Sequence, residues 1–194
     1  MPLVPALKAL HAVRGDAVVV TAMGVAREWM TLSDHPLDFV YVPSSMGQAT
    51  TLGLGMALAQ PDRQIIVCNG DGSMLMNLGS LVTITAQAPA NLTVLIFDNG
   101  VYEITGAQST PASSAIRRDD SEFDFVKTAS ACGFRSTYEF TELEDWKRQV
   151  SDVIAETGPT FARVAVAPVP GAVGPRSPSP AAERAKTFAQ ALRS

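Results

Sequence analysis

The chemistry-bearing residues concentrate between Gln64 and Tyr102, in QIIVCNGDGSMLMNLGSLVTITAQAPANLTVLIFDNGVY. Asp71 stands between Gly70 and Gly72, in the turn Asn69-Gly70-Asp71-Gly72 that breaks the apolar run Ile65–Cys68. Asn99 follows a second apolar run, Leu92 to Phe97, in Asp98-Asn99-Gly100. A glycine turn that opens a helix offers free N–H groups to a phosphate. A carboxylate in that turn would repel the phosphate unless a divalent cation came between them. Asp71 and Asn99 offer hard oxygen ligands, and Mg2+ accepts that set together with phosphate oxygens and water.

The surrounding elements must bring these two residues together. Continuous apolar runs fit parallel strands covered on both faces. Met74, Leu75, Leu78, Leu81, Val82, Thr85 and Ala86 recur at nearly helical spacing and predict one helix between the strands. A strand, crossover and parallel strand leave both strand ends on the same edge. Asp71 and Asn99 are therefore expected at the carboxyl edge, where open α/β sheets bind ligands. A nicotinamide fingerprint is rejected: neither Gly70-Asp71-Gly72 nor Gly53-Leu54-Gly55 is followed by the third glycine.

Gly70-Asp71-Gly72 followed by Asn99 resembles the diphosphate-binding motif of thiamine diphosphate (ThDP) enzymes. Pro43-Ser44-Ser45-Met46-Gly47-Gln48-Ala49 is similar to the methionine-glycine segment before that motif. Asp98-Asn99-Gly100-Val101-Tyr102-Glu103-Ile104-Thr105-Gly106-Ala107-Gln108-Ser109-Thr110 resembles the metal loop of phosphonopyruvate and sulfopyruvate decarboxylases. Gly174-Pro175-Arg176-Ser177-Pro178-Ser179-Pro180 and a last helix are similar to the tail of that group. The resemblance implies an α/β ThDP-binding fold: a three-layer, mostly parallel six-stranded sheet with helices on both faces. It implies ThDP and Mg2+ as cofactors. The metal ligands would be Asp71, Asn99 and the Val101 carbonyl. Cofactor contacts would extend over Thr21, Ser45, Met46, Gly70, Gly72, Ser73 and Tyr102, with Met46 wedged between the two rings and the Gly72 and Ser73 N–H groups assisting at the diphosphate.

The implied activity is non-oxidative decarboxylation of a small 2-oxo acid. The activating glutamate of such enzymes belongs to a pyrimidine-binding domain, for which this chain has no room. The expected partner is therefore a pyrimidine-binding subunit, in an α2β2 or larger hetero-oligomer. Carboligation of the acetolactate synthase kind, a non-catalytic ThDP-binding protein and a flavodoxin-like module remain alternatives. Gln48 stands where these decarboxylases often carry histidine, so the substrate stays open. Glu103 is readable as an acid or base, or as a solvent-facing charge. Arg117 and Arg118 are readable as contacts to an anionic substrate, or as an exposed basic pair.

The remaining sequence sets bounds. The chain has 194 residues, 46% of them apolar, and a net charge of −4. That is enough for one real core. No basic cluster suggests nucleic acid. No apolar run approaches the ~20 residues of a membrane span. A signal peptide is not indicated, and Cys68 and Cys132 read as free thiols of a cytoplasmic protein. His11 and His35 have no metal-ligand spacing. Thr141-Glu142-Leu143-Glu144 matches a capping box. Residues 1–167 are expected to form the binding domain, and 168–194 a proline-rich arm with a terminal helix.

Overall fold

The computed structural model describes residues 1–116 and 123–193. Arg117 and Arg118 lie outside the described residues. In chain order the helices are α1 (Leu3–Val13), α2 (Met23–Leu32), α3 (Ala49–Ala59), α4 (Asp71–Leu75), α5 (Gly79–Gln87), α6 (Phe125–Ala131), α7 (Leu143–Ala155) and α8 (Ala181–Ala191). The strands are β1 (Val18–Thr21), β2 (Asp38–Val40), β3 (Ile65–Gly70), β4 (Leu92–Asp98), β5 (Val101–Tyr102), β6 (Gln108–Ser109), β7 (Ser136–Phe140) and β8 (Thr160–Ala165).

Six strands form one sheet in the order β2-β1-β3-β4-β8-β7. Every pairing in it is parallel. The central strands β3 and β4 are buried almost end to end, as their unbroken apolar runs require. One face is covered by α1, α2 and α7, around Leu7, Trp29 and Trp146. In α1 the buried residues Leu3, Ala6, Leu7 and Leu10 follow the helical repeat. Trp146 of α7 donates its Nε1–H to the Ala6 carbonyl at 2.9 Å and so joins α7 to α1. The other face carries α3, α5, α6 and α8, around Leu81, Phe125 and Phe161. Cys68 is fully buried inside β3, and burial pushes its thiol up from the ordinary value. Among the described residues no helix is long and apolar enough to cross a membrane.

Two local expectations are corrected. The segment after Asp71 is two helices, α4 and α5, not one. Asn77 lies at the break and turns its side chain outward from the helix path, donating Nδ2–H to the Gly47 carbonyl at 2.9 Å. Gly47 has a φ of +86°, and a Cβ there would meet the Asn77 Cβ at 2.8 Å. Val82, placed on the apolar stripe, is exposed. The capping box also does not form: α7 starts after Glu142, without a side-chain cap. The helix with a real cap is α6, where the Asp124 carboxylate accepts the Lys127 N–H at 2.7 Å.

The last helix is tied to the edge strand. Phe188 of α8 meets Phe39 edge-to-face at 4.9 Å between centroids. The Arg184 guanidinium donates to the carbonyls of Val40 and Val42. These bonds occupy backbone acceptors at the end of β2, the edge of the sheet.

Candidate cofactor site

Parallel pairing of β3 with β4 sets Gly70 opposite Phe97. The residues that follow each strand, Asp71 and Asn99, therefore emerge side by side. β1 lies on the other side of β3, and the chain runs from β1 to the edge strand β2 before returning to β3. The helices after β1 and β3 cover opposite faces, which opens a crevice between them. A cavity of about 580 Å³, counting its open mouth, occupies this place. Its walls include Met23 and Gly24 after β1, Gly70 to Ser73 after β3, and Asn99 to Glu103 after β4, apart from Gly100. Met46 reaches it from the loop before α3.

Asp71 is almost entirely buried, at 2% exposure. Its carboxylate accepts the Thr110 Oγ1–H at 3.1 Å, and the nearby backbone N–H groups of Gly72 and Asn99 favour its charged form. Burial pushes its carboxyl up to about 7, and the nearby Asp98 charge adds to that rise. The hydrogen bonds act in the opposite direction. A buried carboxylate beside another carboxylate has a strong demand for a cation. Asp98 itself is paired with Arg163, Nε to Oδ2 at 2.6 Å. Arg163 also reaches Glu139 at 2.5 Å. Burial alone would lower the Arg163 guanidinium, but Asp98 and Glu139 raise it above its ordinary value.

Asn99 accepts the Val101 N–H on Oδ1 at 3.1 Å and donates Nδ2–H to Glu103 at 3.3 Å. Gly72 is required by Tyr102: a Cβ at position 72 would lie 2.6 Å from the ring. The Ser73 hydroxyl accepts the Gly47 N–H at 2.9 Å, so the Met46 loop is tied to the glycine turn. Among the described residues no three His, Cys, Asp or Glu side chains gather as a metal cluster. A cation at Asp71 would thus draw on one carboxylate, one amide oxygen and main-chain oxygen. That set leaves sites for phosphate oxygens and water, which suits Mg2+ beside a diphosphate.

Eight of the residues expected from sequence line the cavity: Met46, Gly70, Asp71, Gly72, Ser73, Asn99, Val101 and Tyr102. Two do not. Thr21 is fully buried in the core, its hydroxyl without a hydrogen-bond partner, and Met23, Gly24 and Val25 line the wall instead. Ser45 is exposed beside Met46, its N–H donating to the Tyr41 hydroxyl at 3.4 Å. Gln48 is exposed and hydrogen-bonds Thr51 within its own turn. His35 accepts the Leu37 N–H in its loop, and His11 packs edge-on against Trp29; neither lines this cavity. Sequence reasoning missed Thr110 and Asp98 as neighbours of Asp71. Thr110 closes the metal-loop stretch, but nothing in its spacing says that the loop folds back. The β5–β6 hairpin does this, pairing Val101 with Ser109.

Comparison with known proteins agrees with this geometry. Residues 19–164 match the family described as thiamine pyrophosphate enzyme, C-terminal TPP binding domain. The chain is 44% identical over 154 residues to a phosphonopyruvate decarboxylase of Streptomyces viridochromogenes, covering 79% of this chain and 36% of that protein. It is 37% identical over 166 residues to the sulfopyruvate decarboxylase subunit beta of Methanothermobacter thermautotrophicus, covering 85% of this chain and 82% of that subunit. The chain thus spans about a third of the first relative and most of the second. A 2-oxoglutarate:ferredoxin oxidoreductase from Magnetococcus marinus shares the fold, with a TM-score of 0.64 at 16% identity over 84% of this chain and 60% of that one. With a family match across most of its length and a glycine-flanked Asp71 at the expected sheet edge, the chain belongs to the thiamine pyrophosphate enzymes, in the family of their C-terminal TPP-binding domains.

Proposed function

We propose that this chain is the ThDP- and Mg2+-binding subunit of a two-subunit 2-oxo acid decarboxylase of the sulfopyruvate and phosphonopyruvate kind. The observation that carries the reading is the convergence of Asp71, Asn99 and Val101 on one cavity, with Met46 and Tyr102 on its walls. Asp71, the Asn99 amide oxygen and the Val101 carbonyl would hold Mg2+. Gly70, Gly72 and Ser73 would border the diphosphate, and Met46 would support the bent cofactor. When bound, the cofactor supplies a nucleophilic carbon and an electron sink for decarboxylation.

This chain's own residues bind and orient. The Thr110 hydroxyl holds the Asp71 carboxylate in place. Tyr102 covers Gly72 and narrows the approach of water to the turn. A partner chain with a pyrimidine-binding domain would supply the activating glutamate and the other half of the site. The relatives named subunit beta, of similar length to this chain, support that division.

Two measurements test the reading. Calorimetry of the chain should show ThDP binding only when Mg2+ is present; binding that ignores the metal would refute the site. A panel of small 2-oxo acids should be decarboxylated when a glutamate-bearing partner is added. Enzymatic turnover by the isolated chain would refute the two-subunit arrangement.

A further inference from the structure

Glu103 was readable as a charge facing solvent, yet its side chain is only 7% exposed. It is the first residue of a short 3-10 turn, Glu103–Thr105, after β5. Three separate segments converge on its carboxylate. Oε1 accepts the Val169 N–H of the proline-rich arm at 2.6 Å. The same oxygen accepts the Asn99 Nδ2–H at 3.3 Å. Oε2 faces α2, with Arg27 Nη2 at 3.4 Å. A Cβ on Gly24 would come within 2.8 Å of Oε2, so α2 begins directly against this carboxylate. Arg27 in turn donates to the arm carbonyl of Val173 at 3.0 Å.

The consequence concerns the Asn99 amide. An asparagine side chain has a donor end and an acceptor end, and only the oxygen can ligate a cation. A carboxylate accepts and never donates, so it selects the Nδ2 end of Asn99 and leaves Oδ1 for the loop. Oδ1 already accepts the Val101 N–H at 3.1 Å and keeps a second lone pair. An amide whose orientation is fixed before the metal arrives loses less freedom on ligation.

We propose that Glu103 is a positioning residue, which sets the Asn99 amide with its oxygen toward the cation and locks the arm to the same point. The inference rests on the reading of Asn99 as a metal ligand. Glu103 acts through Asn99, not on substrate. It also makes the arm part of the site's support: Val169 shares an acceptor with the amide that holds the metal.

The test uses the full chain with ThDP and with Mn2+ as a paramagnetic substitute for Mg2+, read by water-proton relaxation and calorimetry. Outer-shell partners of metal ligands are worth about 10- to 100-fold in affinity, so Glu103→Leu should weaken Mn2+ binding by about that factor, and Glu103→Gln, whose amide oxygen can still accept both N–H groups, by less than about threefold. A Glu103→Gln chain as weak as Glu103→Leu would mean that charge, not orientation, matters, and would overturn the proposal. A second pair is independent of whether Glu103→Leu folds. Asn99→Asp sets a carboxylate against Glu103 and should weaken Mn2+ binding. Adding Glu103→Gln in that background restores a donor between the two side chains and should recover part of the loss. No recovery overturns the proposal. If the wild-type chain shows no metal-dependent ThDP binding, the site reading falls and this inference with it. If the wild type binds and Glu103→Leu binds equally well, only this inference falls.

Discussion

At the scale of single residues, Asp71 carries the site. Its folded-state pKa of about 7 lies above the ordinary 3.8, so the folded chain holds that proton more tightly than the unfolded one. The sign follows: this group's stabilising share is complete below about pH 4 and is lost as pH rises through about 7. Thermal melts of the metal-free chain should therefore fall across that range, and Asp71→Asn should flatten the fall. The same substitution should lower Mg2+-assisted ThDP affinity by more than the about 100-fold of an outer-shell loss, measured by calorimetry. An unchanged pH profile in Asp71→Asn would mean that the buried carboxylate is not the titrating group. Asp71 and Asn99 could be read as neighbours because the end of a strand is visible in sequence, whereas Tyr102 came from the family resemblance. Parallel pairing then fixes which ends meet. Thr110, Asp98 and Glu103 were not so readable, because the path of a loop chooses their contacts. Thr21 shows the opposite limit: a residue can stand at the right strand end and still be enclosed by the core.

At the scale of elements, the glycine turn works only with the hairpin above it. A Cβ at Gly72 would lie 2.6 Å from the Tyr102 ring. Gly72→Ala should displace β5 and cost about 1–3 kcal/mol, with weakened ThDP binding at unchanged helix content by circular dichroism. The break between α4 and α5 has a similar coupling role. Asn77→Ala would leave the Gly47 carbonyl without its donor and should cost about 1 kcal/mol, read as a lower urea midpoint. Apolar spacing alone predicted one uninterrupted helix there. Spacing records which positions are apolar, not a side chain that leaves the helix to bond a distant loop. The missing capping box at Thr141 is a second local pattern that the fold does not use: α7 starts after Glu142 without a side-chain cap.

At the scale of the whole molecule, one parallel sheet gathers six strand ends on one edge, and the arm and last helix return across the structure to its β2 side. The two central strands followed from unbroken apolar runs, and the six-stranded sheet with two covered faces from the family resemblance. The strand order did not, since nothing local says that β1 lies between β2 and β3. Trp146→Ala should be the most costly of the substitutions considered, about 3–5 kcal/mol, because it empties a buried site and removes the bond that joins α7 to α1, as a denaturant titration would show. The burial of Cys68 has a use of its own. A thiol-specific dye should label the half-buried Cys132 early and Cys68 only when the sheet itself separates. The second, slow phase is thus a built-in clock for global opening, sited three residues before Asp71, and a coenzyme that closes this turn should make it run slower.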